Sequence, residues 1–174
     1  MFLDFLELVL IGLLSVIVYQ DFRYRAISLF SLVLIFLIGF IYGYFSINIK
    51  DLLQFTLTNF AFILVQAVIL LIYFKFKYGS FRILDVYIGK GDPLFLLMII
   101  SLFSPINFIL YYTSSLFLTL ILALVLNIRK PLTSSQIPLA GFFAGTLIIL
   151  FFFKHLIGGF SLYNDAFLLS YLSK

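Results

Sequence analysis

Long apolar runs separated by short polar clusters cover most of the sequence. The first run, from Leu3 to Tyr19, ends in the polar cluster Gln20 to Arg25, and the second extends from Ile27 to about Ile47. A third run, from about Leu52 to Phe74, closes in two lysines. Each run approaches or exceeds the roughly 20 residues that an α-helix needs to cross a bilayer. The pattern therefore predicts three membrane-spanning helices in the first half of the chain.

The second half of the chain contains an apolar region, Pro93 to Leu126, that is too long for one crossing. Pro105 divides this region, because proline lacks a backbone donor and disfavours helix in the residue before it. We therefore expect a tight turn over Ser104 to Asn107, between a short fourth span and a fifth. A sixth run begins near Ile137 and continues to about Ile157. The tail, residues 158–174, is expected to lie at the membrane interface.

These six runs predict an all-α fold, a polytopic membrane helix bundle of about six transmembrane helices. Of the 174 residues, 64% are hydrophobic and 10% are charged, whereas a soluble domain carries roughly 25% charged residues. The connections are too short to hold a soluble domain. We therefore expect residues 1–174 to form a single membrane-embedded domain whose main partner is the lipid bilayer.

Lysine and arginine residues are distributed unequally between the two sides that this topology defines. Cytoplasmic connections are enriched in these residues, and eight of the eleven follow spans one, three and five. Both termini are therefore expected outside. Orientation accounts for the net charge of +4, so nucleic acid is not an expected partner. The eight residues are Arg23, Arg25, Lys75, Lys77, Arg82, Lys90, Arg129 and Lys130, and the other three are Lys50, Lys154 and Lys174.

Several kinds of chemistry are excluded or disfavoured by the composition. The chain contains no cysteine, which excludes disulfides, Cys-ligated metal centres and thiol nucleophiles. The single histidine, His155, is placed near the outer end of span six and gives little support to a metal centre. We therefore predict neither a metal nor a cofactor. The first residues lack the basic region of a signal peptide, so we expect the first span to be retained.

Three of the seven acidic residues, Asp21, Asp85 and Asp92, fall on the predicted cytoplasmic side, and Asp21 and Asp92 are expected there at similar depth. Asp21 ends span one and Asp92 precedes span four, so packed helices could bring them together. Each also has a structural interpretation. Asp21 could pair with Arg23 or Arg25, and Asp92 could cap the helix that starts at Pro93. The other acids, Asp4, Glu7, Asp51, Asp85 and Asp165, are expected near the outer side, in the tail or in a solvated loop.

Two glycines immediately precede Asp92 in the tetrapeptide Gly89-Lys90-Gly91-Asp92. Residues without side chains let a substrate backbone approach a carboxylate closely, although glycines also serve ordinary turns. Lys90 is most simply a cytoplasmic anchor, and contact with a phosphate head group or a substrate is the alternative.

Three segments in the same order resemble the prepilin peptidase, or type IV leader peptidase, family of intramembrane aspartyl proteases. Residues 21–28, Asp-Phe-Arg-Tyr-Arg-Ala-Ile-Ser, resemble that family's first aspartate followed by Ile-Pro-Asn. Residues 89–92 match its Gly-x-Gly-Asp, and residues 137–142, Ile-Pro-Leu-Ala-Gly-Phe, are similar to its Ile-Pro-Phe-Gly-Pro segment. The order of the three segments and their placement relative to the spans agree with the family over nearly the whole chain. Ser28 stands where the family usually has proline, and Leu94 where it commonly has lysine.

The resemblance implies a short-form aspartic endopeptidase of the bacterial inner membrane, without the methyltransferase insertion of larger members. Asp21 and Asp92 would be the catalytic pair, facing the cytoplasm, with Gly89, Lys90 and Gly91 as the supporting motif. The implied substrate is a pilin-like or pseudopilin-like precursor, whose basic leader is removed at the membrane boundary by an activated water. Two close carboxylates cannot both ionise easily, so one would act as base and the other as acid.

A second class of function remains open, namely a small membrane transporter or a catalytically inactive assembly protein. It is suggested by Asn59 and Gln66, which share a face of span three, and by the altered residues Ser28 and Leu94. A transporter would carry carboxylates near the bilayer midplane, and the pattern places none there. We expect Asn59 and Gln66 to hydrogen-bond between helices.

Overall fold

The described part of the chain is entirely helical, apart from short connections. The computed structural model describes residues 1–78, 89, 91–129, 138–156 and 161–165. Within these ranges the chain is an all-α membrane helix bundle, as predicted from the apolar runs. Its helices are α1 (Phe2–Tyr24), α2 (Leu29–Ser46), α3 (Ile49–Tyr78), α4 (Gly91–Ile99), α5 (Pro105–Arg129) and α6 (Leu139–Leu156), and a 3₁₀ turn, Ile100–Leu102, follows α4.

Five of these helices, all except α4, are long and apolar enough to cross a membrane. The apolar stretch of α4 and its 3₁₀ turn, Gly91–Leu102, is shorter. At about 1.5 Å per residue it extends only about 18 Å, whereas the hydrocarbon core is about 30 Å thick. Large apolar side chains such as Leu57, Ile69 and Phe117 point away from the bundle. This surface suits contact with lipid and supports a membrane-embedded protein.

The turn between α1 and α2 is short, as predicted, although α1 continues beyond Tyr19 to Tyr24. Arg25 ends the helix in the left-handed conformation, with φ 53°, and its amide donates to Asp21 O at 3.1 Å. The side chain of Gln20 then accepts from Ser28 N at 2.9 Å. The polar cluster therefore lies in the last turn of α1 and in the connection, and it places Asp21 inside the helix.

Helices α1 and α6 pack on one another more extensively than any other pair. Leu10, Leu14 and Ile17 of α1 are fully buried at helical spacing. On α6, Ala140 and Ala144 are also fully buried, and such small residues let two helices approach closely in a membrane. This antiparallel pair forms the centre of the bundle.

The connection from α4 to α5 differs from the expected turn over Ser104 to Asn107. Pro105 is the first residue of α5, and Asn107 already lies within that helix. Proline suits the first helical position, because its missing N–H would have no partner there. The prediction that Asn59 bonds between helices is confirmed, since its Nδ2 donates to Ile100 O at 2.8 Å and to Phe103 O at 3.0 Å.

Residues 161–165, the described part of the tail, pack against the end of the bundle where α1 begins. Leu162 and Tyr163 are buried there. Ser104 N donates to Leu162 O at 3.0 Å, and Tyr163 OH donates to Ser101 O at 2.9 Å. This part of the tail is therefore an integral piece of the bundle. Its level in a bilayer stays a prediction.

Candidate active site

Asp21 lies in the last turn of α1 and faces the start of α6. Its side chain is only 6% exposed. The Oδ2 atom accepts a hydrogen bond from Gly141 N at 2.6 Å. The helix that carries Asp21 is thus joined at this point to the backbone of α6.

Asp92 lies in the first turn of α4 and faces the same part of α6. Its own amide donates to Gly89 O at 3.1 Å. The Oδ1 atom accepts from Ala140 N at 2.9 Å, and the residue is 9% exposed. The carboxyl group of Asp92 therefore bonds to a second helix, which differs from a simple cap on its own helix.

The two carboxyl groups meet at consecutive backbone amides, those of Ala140 and Gly141. Consecutive nitrogens are at most about 4 Å apart along the chain, so the two bound oxygens are at most about 10 Å apart. The negative charge of Asp21 is within electrostatic range of the Asp92 carboxyl group. The structure thus brings together the two acids that were singled out in the sequence.

The start of α6 is suited to hold two carboxylates. The first amides of a helix have no partner within that helix, and Ala140 and Gly141 are the second and third residues of α6. The positive end of the helix dipole also favours negative charge there. Each aspartate uses one oxygen for this contact, and its second oxygen is not part of it.

Three glycines allow these groups to approach. A Cβ atom on Gly141 would lie 3.0 Å from Asp21 Oδ2 and 2.9 Å from the ring of Phe22. On Gly89 it would lie 3.0 Å from Asp92 Oδ2, and on Gly91 it would lie 3.0 Å from Ile27 Cδ1. The described residues of the three segments that carry the family resemblance therefore meet in one place, and a side chain at any of these glycines would crowd its neighbour.

Of the other charged residues considered for the site, Arg25 is described by the structure. Arg25 is close enough for its positive charge to act electrostatically on Asp21. Lys90 and Asp85 lie outside the described residues. Within the described ranges, no group of three or more His, Asp or Glu side chains could hold a metal ion.

Sequence reasoning missed two features of the molecule. It noted residues 137–142 without predicting that the amides of Ala140 and Gly141 would bind both aspartates. It also did not predict that Glu7, which it places near the outer side, is buried inside the bundle, with 1% exposure. A charged residue within the first apolar run was the available signal for Glu7.

Comparison of the chain with protein-family models, with curated proteins and with solved structures returned no match. The resemblance to prepilin peptidases therefore rests on the three segments alone.

Proposed function

We propose that this chain is a membrane aspartyl endopeptidase that removes the basic leader from pilin-like precursors. The observation that carries the proposal is the meeting of Asp21 and Asp92, from two separate helices, at the consecutive amides of Ala140 and Gly141. Both side chains are nearly buried. Acids held close together in a largely buried place are a recurring arrangement of catalytic groups.

In the proposed reaction the pair carries one proton between its two carboxyl groups. The ionised aspartate removes a proton from water while the water oxygen attacks the peptide carbonyl carbon. The protonated aspartate donates a hydrogen bond to the carbonyl oxygen and then gives its proton to the leaving nitrogen as the C–N bond breaks. The amides of α6 hold one oxygen of each carboxyl group, which fixes the direction of the other.

The position of the pair suits cleavage at a membrane boundary. Asp21 lies in the last turn of α1, and Asp92 lies in the first turn of α4. Both acids are thus at the same end of the bundle, which the distribution of basic residues predicts to face the cytoplasm. A precursor whose basic leader is cytoplasmic and whose apolar helix lies in the bilayer would present its cleavage site at this level.

The test is processing of a panel of pilin-like precursors, co-expressed with Asp21→Asn and Asp92→Asn. Asparagine keeps an oxygen that can accept from Ala140 or Gly141, but it cannot transfer a proton in this way. We expect each variant to insert and fold like the parent protein and to lose processing. The measurement is the fraction of precursor that loses its leader, read by gel mobility and by mass spectrometry of the new N-terminus.

Asp51→Asn is the matched control, because Asp51 is an exposed acid in the first turn of α3. It should process at the parental rate. Normal processing by either Asp21→Asn or Asp92→Asn would overturn the assignment of the pair. Failure of the parent protein to cleave any precursor in the panel would overturn the proposed substrate class.

A catalytically inactive assembly protein is the second candidate function. The observation that favours it is that both aspartates complete the start of α6, which is a structural role in itself. In that case the asparagine variants would retain all function, and only Asp21→Ala and Asp92→Ala would impair assembly. A transporter is less favoured, because the other buried acid of α1, Glu7, lies near the opposite end of the helix and is paired with Lys154.

A further inference from the structure

A second buried polar cluster joins α1 to α6 at the end of the bundle far from the aspartates. It consists of Glu7 on α1, Tyr42 on α2, and Lys154 and His155 on α6. Glu7 Oε1 accepts from Lys154 Nζ and, at 2.7 Å, from Tyr42 OH. Lys154 Nζ also lies 2.7 Å from Tyr42 OH. The three side chains form one closed network around a carboxylate.

The network is buried on one side and reaches the surface on the other. Glu7 is 1% exposed, whereas the side chain of Lys154 is 24% exposed. His155 Nε2 lies 3.0 Å from Glu7 Oε2. This contact lacks hydrogen-bond geometry and is an ion pair only when the imidazole is protonated. Among the groups that the structure describes, Lys154 is therefore the main counter-charge of Glu7.

This cluster and the aspartate site lie at opposite ends of the same antiparallel helix pair. Glu7 and Asp21 are about 21 Å apart along α1, and Gly141 and Lys154 are about 20 Å apart along α6, at 1.5 Å per residue. The two helices are thus joined at one end by the Asp21–Gly141 contact and at the other by the Glu7–Lys154 contact. Sliding α6 along α1 would disturb both contacts together.

We infer that the Glu7–Lys154 ion pair fixes the register of α6 against α1 and thereby positions the amides of α6 beneath the aspartate pair. This inference rests on the proposed function where it concerns processing. A slip of one residue would move Gly141 by about 1.5 Å, a displacement large enough to break its 2.6 Å hydrogen bond to Asp21. Setting the register between helices is the best attested use of buried polar groups. Glu7 and Lys154 are positioning residues in this account.

The absence of cysteine from the chain permits a direct measurement of register. The rings of Phe22 on α1 and Phe142 on α6 are 5.0 Å apart, beside the aspartates. The double substitution Phe22→Cys/Phe142→Cys, treated with a short thiol-reactive cross-linker, reports how often these positions are aligned. The cross-linking rate does not depend on any peptidase activity, and processing is followed separately in the cysteine-free chain.

Three variants separate register from simple destabilisation. Lys154→Met leaves Glu7 without its main counter-charge, so it should lower stability and slow the cross-linking severalfold. Processing should fall by roughly 10²-fold, a loss that a misplacement of about 1 Å can cause. Glu7→Gln/Lys154→Met buries no charge, so its stability should recover while cross-linking and processing stay low. Tyr111→Phe loses a buried bond from α5 to α6, so it should affect stability alone.

The inference is overturned if Glu7→Gln/Lys154→Met regains parental cross-linking and processing together with its stability. If Lys154→Met does not fold, Glu7→Gln replaces it, because Lys154 can then extend to water. A parental cross-linking rate in Glu7→Gln would also overturn the inference. If the aspartate variants lose processing while Lys154→Met keeps parental cross-linking and processing, the proposed function stands and only the positioning role is refuted.

Discussion

Substitution of Gly141 by alanine tests how closely the aspartate site depends on the start of α6. The new methyl group would lie 2.9 Å from two atoms of the Phe22 ring and 3.0 Å from Asp21 Oδ2. Phe22 is partly exposed, so its ring can turn outward. Asp21 is buried and bonded to the amide of the same residue, so its carboxyl group must move away from that amide.

The magnitude follows from opposing contributions. Alanine in a helix is normally favoured over glycine by roughly 0.5–1 kcal/mol. Overpacking costs about 1–3 kcal/mol, and a hydrogen bond to a charged group contributes about 1.5–3 kcal/mol when it is intact. We therefore expect Gly141→Ala to lower the free energy of unfolding by about 1–3 kcal/mol. Processing should fall by roughly 10²-fold, because Asp21 is displaced.

Gly145→Ala is the matched control, because Gly145 lies one turn further along α6 and a Cβ atom there would meet nothing within 4 Å. It should match or exceed the parent in stability and process precursors normally. Both variants are compared by thermal unfolding in detergent and by the initial rate of leader removal. If Gly141→Ala behaved like Gly145→Ala in both measurements, the close contact between Asp21 and α6 would be refuted.

Two further predictions follow from the packing and from the paired acids. Gly43→Ala should destabilise the bundle by about 1–3 kcal/mol, because its Cβ atom would lie 2.5 Å from Leu52 Cδ1 and 2.8 Å from Tyr163 OH. In the control, Gly12→Ala, the Cβ atom meets nothing within 4 Å, so the bundle should not be destabilised. Equal melting temperatures of the two variants would contradict this prediction. The initial processing rate should pass through a maximum as pH is varied, because one aspartate of the pair must be protonated and the other ionised. A rate that only rises or only falls with pH would argue against shared acid–base roles.

Apolar periodicity and length predicted the helices well, because a bilayer demands long runs of apolar residues. The helix ends were less predictable. Polar residues that close an apolar run can still be helical, so α1 extends past Gln20 to Tyr24 and α3 extends past Phe74 to Tyr78. Pro105 was read as part of a turn, but it begins α5. A proline indicates a helix boundary, but it can either follow the end of one helix or begin the next.

The sequence singled out Asp21 and Asp92 but not what holds them. Their partners are backbone amides, which every residue except proline possesses, so the residue types at 140 and 141 do not announce the contact. The one indication in the sequence is the absence of a side chain at Gly141, where a Cβ atom would collide with Asp21. The burial of Glu7 was not predicted, for a related reason. Its counter-charge, Lys154, lies 147 residues away, and only the folded pair of helices brings the two together.

Both aspartates depend on one element, because their partners are neighbouring amides of α6. A movement of α6 therefore changes both hydrogen bonds together, while a movement of α1 or α4 alone changes only one. This makes α6 the element through which the rest of the bundle acts on the pair. Gly141 controls the distance between α6 and Asp21, and Lys154 controls the position of α6 along α1. Local and remote changes on this helix should thus converge on the same defect, a pair of carboxyl groups that no longer share a fixed geometry.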